Sequence, residues 1–114
     1  MSAKDNIKIA KWLGWKSDRG MLFHYLDKDG NSVGLPNFKT NNSDAITLLP
    51  ILVERGYWVT LETVIRTINH KAEVMWNCKI ETDFGEMQLD SYASAISNSI
   101  TSAVLELIEK EGKG

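Results

Sequence analysis

Three groups of side chains in this sequence have types and spacings that invite chemistry. They are a lone thiol at Cys78, two imidazoles at His24 and His70, and an acidic turn from Asp27 to Asn31, read DKDGN. Cys78 alternates with Val74, Trp76 and Ile80, which marks it as an inert core thiol. Activating it would take a neighbouring cation to lower its pKa. His24 falls in an expected strand and His70 in an expected turn, and neither belongs to a motif with a nucleophile or a metal-binding partner. The acidic turn resembles a calcium loop only superficially. An EF-hand needs glycine at its sixth position and a glutamate at its twelfth. Counting from Asp27, Gly30 is fourth and Phe38, which has no side-chain oxygen, is twelfth. The sequence contains no P-loop, no G-x-G-x-x-G and no G-x-S-x-G. The expectation is a protein that is not an enzyme, with no catalytic residue, no metal site and no cofactor.

Charge is the next feature. The net charge is −2, yet residues 1–19 carry Lys4, Lys8, Lys11, Lys16 and Arg19 against Asp5 and Asp18, a local charge of +3 that leaves −5 for the remainder. Lys4, Lys8 and Lys11 stand at i, i+4 and i+7, so a helix places them in one stripe. The simpler reading is the solvated side of an amphipathic helix. The alternative is a nucleic-acid contact through Lys4, Lys8, Lys11, Lys16 and Arg19. A pI near 5.6 weakens any claim of general nucleic-acid affinity.

A chain of 114 residues supports a single domain, 1–114, and 43% hydrophobic with 25% charged residues is ordinary for a globular protein. The longest mainly apolar run, Ile46 to Val53, is too short to span a bilayer, so no membrane association is expected. Met1 to Lys4 leads directly into charged residues, unlike a signal peptide. One cysteine excludes an internal disulfide and suits a reducing cytoplasm.

The elements follow from periodicity and punctuation. Asp5 to Trp15, DNIKIAKWLGW, predicts a short helix with Asp5 as N-cap and Gly14 as left-handed stop, and with Trp15 folding back. Met21 to Leu26 and Ser32 to Leu35 predict a hairpin about the DKDGN turn. A second helix, SDAITLLPILVERG, is capped by Asn42 or Ser43, kinked by Pro50 and closed by Gly56; its apolar residues nearly surround it. Tyr57 to Thr67 and Glu73 to Asp83 predict a second hairpin with unusually long strands, whose tip projects beyond the domain. Asn69 lies in its turn and tolerates a left-handed backbone. The last helix, Ser91 to Lys110, is capped by Asp90, with a core stripe from Tyr92 to Ile108 and a side rich in small polar groups; 111–114 should fray.

The WLGW of the first helix, the DKDGNSVGLPNF turn and strand, and the helix leading to ERGYWV together resemble the phage-associated ABA-sandwich domain family over roughly residues 7–82. The resemblance implies a small bacteriophage or prophage protein whose molecular role is largely undefined. Its motifs are aromatic, glycine and turn residues, which describe folding and carry no catalytic signature.

The expected fold is α+β, in the order α-β-β-α-β-β-α, with a four-stranded, mainly antiparallel sheet sandwiched by helices. The strand from Tyr57 carries apolar groups on both faces, including Trp58 and Val64, so both faces should be covered. The expected function is a phage or prophage accessory protein, in the host cytoplasm, that binds a host protein or small ligand as a homodimer. The second hairpin and the serine-rich side of the last helix are the expected contacts. Arg66, Asn69, His70 and Lys71 cluster near the hairpin tip as the candidate binding residues.

Overall fold

Helix α1 runs from Ser2 to Trp12 in the computed structural model, which describes residues 2–17, 24–27, 29–82 and 88–113. Ala3 and Lys4 are good helix formers, so the helix begins ahead of Asp5. Asp5 is therefore not the N-cap. It lies in the first turn, where its carboxylate meets the positive end of the dipole and takes the Lys39 ammonium at 2.5 Å. The C-terminus is as expected. Gly14 sits at φ +88°, its amide donates to Lys11 O, and the Trp15 amide donates back to Ala10 O. That pair of bonds is a Schellman motif, and it satisfies carbonyls the helix leaves orphaned.

Strands β1 (Lys16–Ser17), β2 (His24–Leu26) and β3 (Ser32–Gly34) form an antiparallel sheet in that order. Residues 21–23 of the expected first strand lie outside the described residues. The DKDGN turn is held by Asp27 Oδ1, which accepts the amides of Asp29 and Asn31, both at 2.9 Å, and by Gly30 at φ +84°. The carboxylate of Asp27 is thus committed to its own turn.

The second helix is split into α2 (Asn42–Ile46) and α3 (Leu48–Glu54), with the break at Thr47. A proline ring at position 50 collides with the carbonyl four residues earlier, at Ile46. Breaking there puts Pro50 in the first turn of α3, where no intrahelical amide bond is required. Asn41 caps α2, its side chain accepting the Asp44 amide at 3.0 Å, one residue ahead of the expected caps. Apolar residues do not enclose the helix. Ala45, Leu48 and Leu52 are buried, whereas Ile46 and Val53 face water.

The second hairpin is β4 (Trp58–Ile68) with β5 (Lys71–Glu81), and β6 (Gln88–Ala93) adds to β5. The described residues thus form two three-stranded antiparallel sheets and not one of four strands. β1 and β6 extend the two hairpins separately: Lys16 pairs with Leu26, and Leu89 with Ile80. Residues 91–93, read in sequence as the first turn of the last helix, belong to β6, and Tyr92 is 57% exposed instead of lying in the core. Helix α4 (Ile96–Lys113) starts later, and Asp90 does not cap it. Its Ser97 amide donates to the side chain of Asn42 at 2.9 Å, a cap supplied from α2.

Both sides of α4 are used within the chain. Ile100, Ala103, Val104 and Leu107 are buried with Cys78, Ile80 and Leu89 of the sheet, with Ile9 of α1, and with Ala45, Leu48 and Leu52. Ser97, Ser99 and Thr101 are buried too, Ser99 Oγ donating to Ser91 O and Thr101 Oγ1 to Ser97 O. The expected serine-rich docking surface is thus internal at Ser97 and Thr101, whereas Ser94 and Ser102 are exposed and Asn98 is half-buried. The end of α4 does not fray at Glu111 either. Its carboxylate accepts from Trp12 Nε1 at 2.9 Å and from the Tyr57 hydroxyl. The helices pack on the face of β4–β6 that carries Val59, Leu61, Cys78, Ile80 and Leu89. The opposite face is not covered as expected: Trp58 is 64% exposed, although Val64 is half-buried. No described helix is long and apolar enough to cross a membrane.

Candidate functional site

The hairpin β4–β5 outruns the rest of its sheet. β6 pairs with β5 only as far as Trp76, opposite Ala93. Beyond that point, among the described residues, Val64–Ile68 and Lys71–Met75 pair with each other alone. At about 3.3 Å per residue, five residues make an overhang of roughly 17 Å. The molecule is correspondingly elongated, 53 × 33 × 22 Å.

The tip itself is a two-residue turn. Ile68 pairs with Lys71, and between them Asn69 (φ +50°) and His70 (φ +64°) both adopt left-handed backbone. Positive φ at both central residues is the type I′ geometry, whose twist matches the flanking strands. Glycine is the usual second residue there, so histidine at that position holds backbone strain. Arg66, Asn69, His70 and Lys71 are all exposed, and the turn brings them together. Arg66 and Lys71 share one face of the hairpin, with Glu73 directly across from Arg66. Exposed apolar groups accompany them: Ile65 (70%) opposite Val74 (54%) on one face, and Ile68 beside Arg66 on the other.

The basic candidates are arranged differently. Lys4, Lys8 and Lys11 lie exposed along α1, and Lys16 is exposed in β1; Arg19 lies outside the described residues. Lys8 and Lys11 edge a shallow groove with Trp12, Ile108 and Glu111. The Glu111 carboxylate lines this groove, and burial together with its hydrogen bond pushes the Tyr57 hydroxyl up to about 12. An anion laid along this groove would meet that carboxylate as well as the lysines.

The sequence reading missed a cleft of about 240 Å³ lined by Leu13, Trp15, Asp27, Asp29, Ile51, Glu54 and Arg55. It forms where the two glycine stops, Gly14 and Gly56, reverse the chain next to the DKDGN turn. Gly56 (φ +92°) repeats the Schellman pattern, the Tyr57 amide donating to Leu52 O. Arg55 spans the two helix ends, its guanidinium 4.0 Å over the Trp12 ring and bonded to Trp12 O at 2.9 Å. The recurring WLGW and ERG stops were the available signal. Among the described residues, no three His, Cys, Asp or Glu side chains are placed to hold a metal ion. The cleft is smaller than a typical ligand pocket.

Cys78 is fully buried, and burial pushes its thiol up to about 11, opposite to the shift a nucleophile needs. The site and fold together define an α+β domain that presents a long, solvent-facing β-hairpin. Comparison of the chain with family models, with curated proteins and with solved structures finds no match.

Proposed function

We propose that this chain is a non-enzymatic binding protein that contacts a host protein through the tip of its second hairpin, and that it works as a homodimer. The observation that carries the reading is the overhang. Of the seven large hydrophobic side chains exposed among the described residues, Ile65, Ile68 and Val74 lie on its two strands beyond the sheet's third strand. A chain that only needed to close its strands would end them where β6 ends. Exposed apolar groups beside Arg66, His70 and Lys71 combine the hydrophobic and hydrogen-bonding chemistry of protein contact surfaces. The phage or prophage setting, with the host cytoplasm as its location, rests on the resemblance of the WLGW, DKDGN and ERGYWV motifs. Capture of partners from a bacterial lysate by the wild type and by a His70→Ala, Lys71→Ala double variant tests the reading. Loss of a retained species from the variant supports it, and identical captured sets reject it.

A second reading has its own observation, the exposed lysine stripe of Lys4, Lys8 and Lys11 continued by Lys16. Four phosphate contacts would give a slope of log affinity against log salt of about −3 to −4. Absence of any shift of DNA or RNA at low salt removes that reading.

A further inference from the structure

The open edge of β4 has a charge pattern that complements itself. β4 is one outer strand of its sheet, and Glu62, Thr63, Ile65, Arg66 and Thr67 along it are all exposed. The turn sets which backbone groups are open. In a two-residue hairpin the residues flanking the turn, here Ile68 and Lys71, exchange both hydrogen bonds, and bonded pairs then alternate along the ladder. Even-numbered residues of β4 therefore bond to β5, and the amides and carbonyls of Val59, Leu61, Thr63, Ile65 and Thr67 point to the free edge. Among the described residues no strand pairs with the edge from Val59 to Thr67, which makes it a template for another strand.

We propose that two copies of this chain pair antiparallel through β4 about a twofold axis at Val64, joining their three-stranded sheets into one of six. This names the surface for the self-association proposed above and rests on it. Twofold antiparallel pairing lets open residues face open residues only if the axis passes through a β4 residue. An axis at Glu62 sets glutamate against glutamate, and one at Arg66 sets arginine against arginine. An axis at Thr63 or Ile65 gives neither charge a partner in the other subunit, leaving Arg66 with Glu73 of its own hairpin and Glu62 facing Asn77. Only an axis at Val64 puts Glu62 opposite Arg66 of the partner subunit, and it does so twice. Within one chain the two residues are roughly 13 Å apart along the strand and cannot satisfy each other. The same register sets Ile65 against the partner's Thr63 across the axis. It also brings the partner's His70 opposite Trp58, beside the apolar hollow of about 340 Å³ formed by Val53, Gly56, Tyr57, Trp58 and Val59. The two side chains that line that hollow with the greatest exposure, Val53 and Trp58, are thereby covered.

Charge swapping tests the pairing. Glu62→Lys and Arg66→Glu each set two like-charged pairs across the axis, and each should weaken the homodimer at least about tenfold. Mixing the two variants restores both attractive pairs, so a heterodimer should form from two chains that stay monomeric alone. Cysteine scanning supplies a second readout that leaves the charges intact. Val64→Cys should oxidise to a covalent dimer, because facing residues at an axis of this kind have Cα atoms about 4.5 Å apart and the native thiol is buried. Thr63→Cys, Ile65→Cys and Ala72→Cys should not. A monomer mass for the wild type at micromolar concentration overturns both the dimer and its register. A dimer that cross-links through position 63, 65 or 72, or whose charge variants show no preference for each other, overturns the register alone.

Discussion

Replacing His70 by glycine is expected to stabilise the protein while removing a proposed binding residue. His70 holds φ +64° at the second position of the turn. An L-residue in left-handed backbone costs about 1–2 kcal/mol, and glycine escapes that cost. Glycine loses more freedom on folding, which returns roughly 0.5–1 kcal/mol. The net gain is therefore about 0.5–1 kcal/mol, or some 2–6 °C in Tm for a domain of this size. Urea unfolding at 25 °C, monitored by tryptophan fluorescence, gives the first number, and calorimetry gives the second. His70→Ala is the control. It deletes the imidazole but keeps the Cβ in the strained position, so it should be no more stable than wild type. A glycine variant equal to the alanine variant would refute the left-handed turn. If glycine stabilises yet partner capture falls, the strain is held for contact, as expected where activity and stability compete.

Two further outcomes follow from a helix cap and a buried thiol. Asn42→Ala removes the side chain that caps α4 through the Ser97 amide and should cost about 1 kcal/mol, read as a lower urea midpoint with unchanged slope. Cys78 should resist thiol reagents in the native protein, and its raised pKa makes stability fall at alkaline pH. Between the ordinary thiol value near 9 and the folded value of about 11, the unfolded chain loses its proton first. Stability is then present below pH 9 and declines by about 3 kcal/mol up to pH 11. Cys78→Ala should flatten that decline, leaving the share of Tyr57 above pH 10.

The parts of the fold that were legible in sequence are those with local chemical marks. Gly14, Gly56 and the DKDGN turn are stops and turns that the backbone requires. The alternation through Val59, Leu61, Cys78 and Ile80 correctly marks a strand face, because those residues meet one continuous core. The illegible parts depend on tertiary partners. β1 is two residues long and has no pattern of its own. β6 was absorbed into the last helix because Tyr92 continues the helical spacing of Ile96 and Ile100, although pairing with β5 claims it. Trp58 and Ile65 mimic a doubly buried strand, yet Ile65 faces solvent on the overhang and Trp58 is 64% exposed at the opposite end of β4. The cap from Asn42 onto α4 joins residues 55 apart, which no local window can see. The tip candidates were legible because Asn69 and the length of the flanking strands are both local features. The cleft beside Arg55 was not, since three separate chain reversals build it.

The most direct measurement is a side-by-side capture from bacterial lysate with immobilised wild type, the His70→Ala, Lys71→Ala variant, and a Lys8→Ala, Lys11→Ala variant, all verified as folded by circular dichroism. The hairpin account predicts that at least one protein retained by the wild type is retained by the α1 variant and lost from the tip variant. Equal retention by the tip variant, or loss confined to the α1 variant, would contradict it.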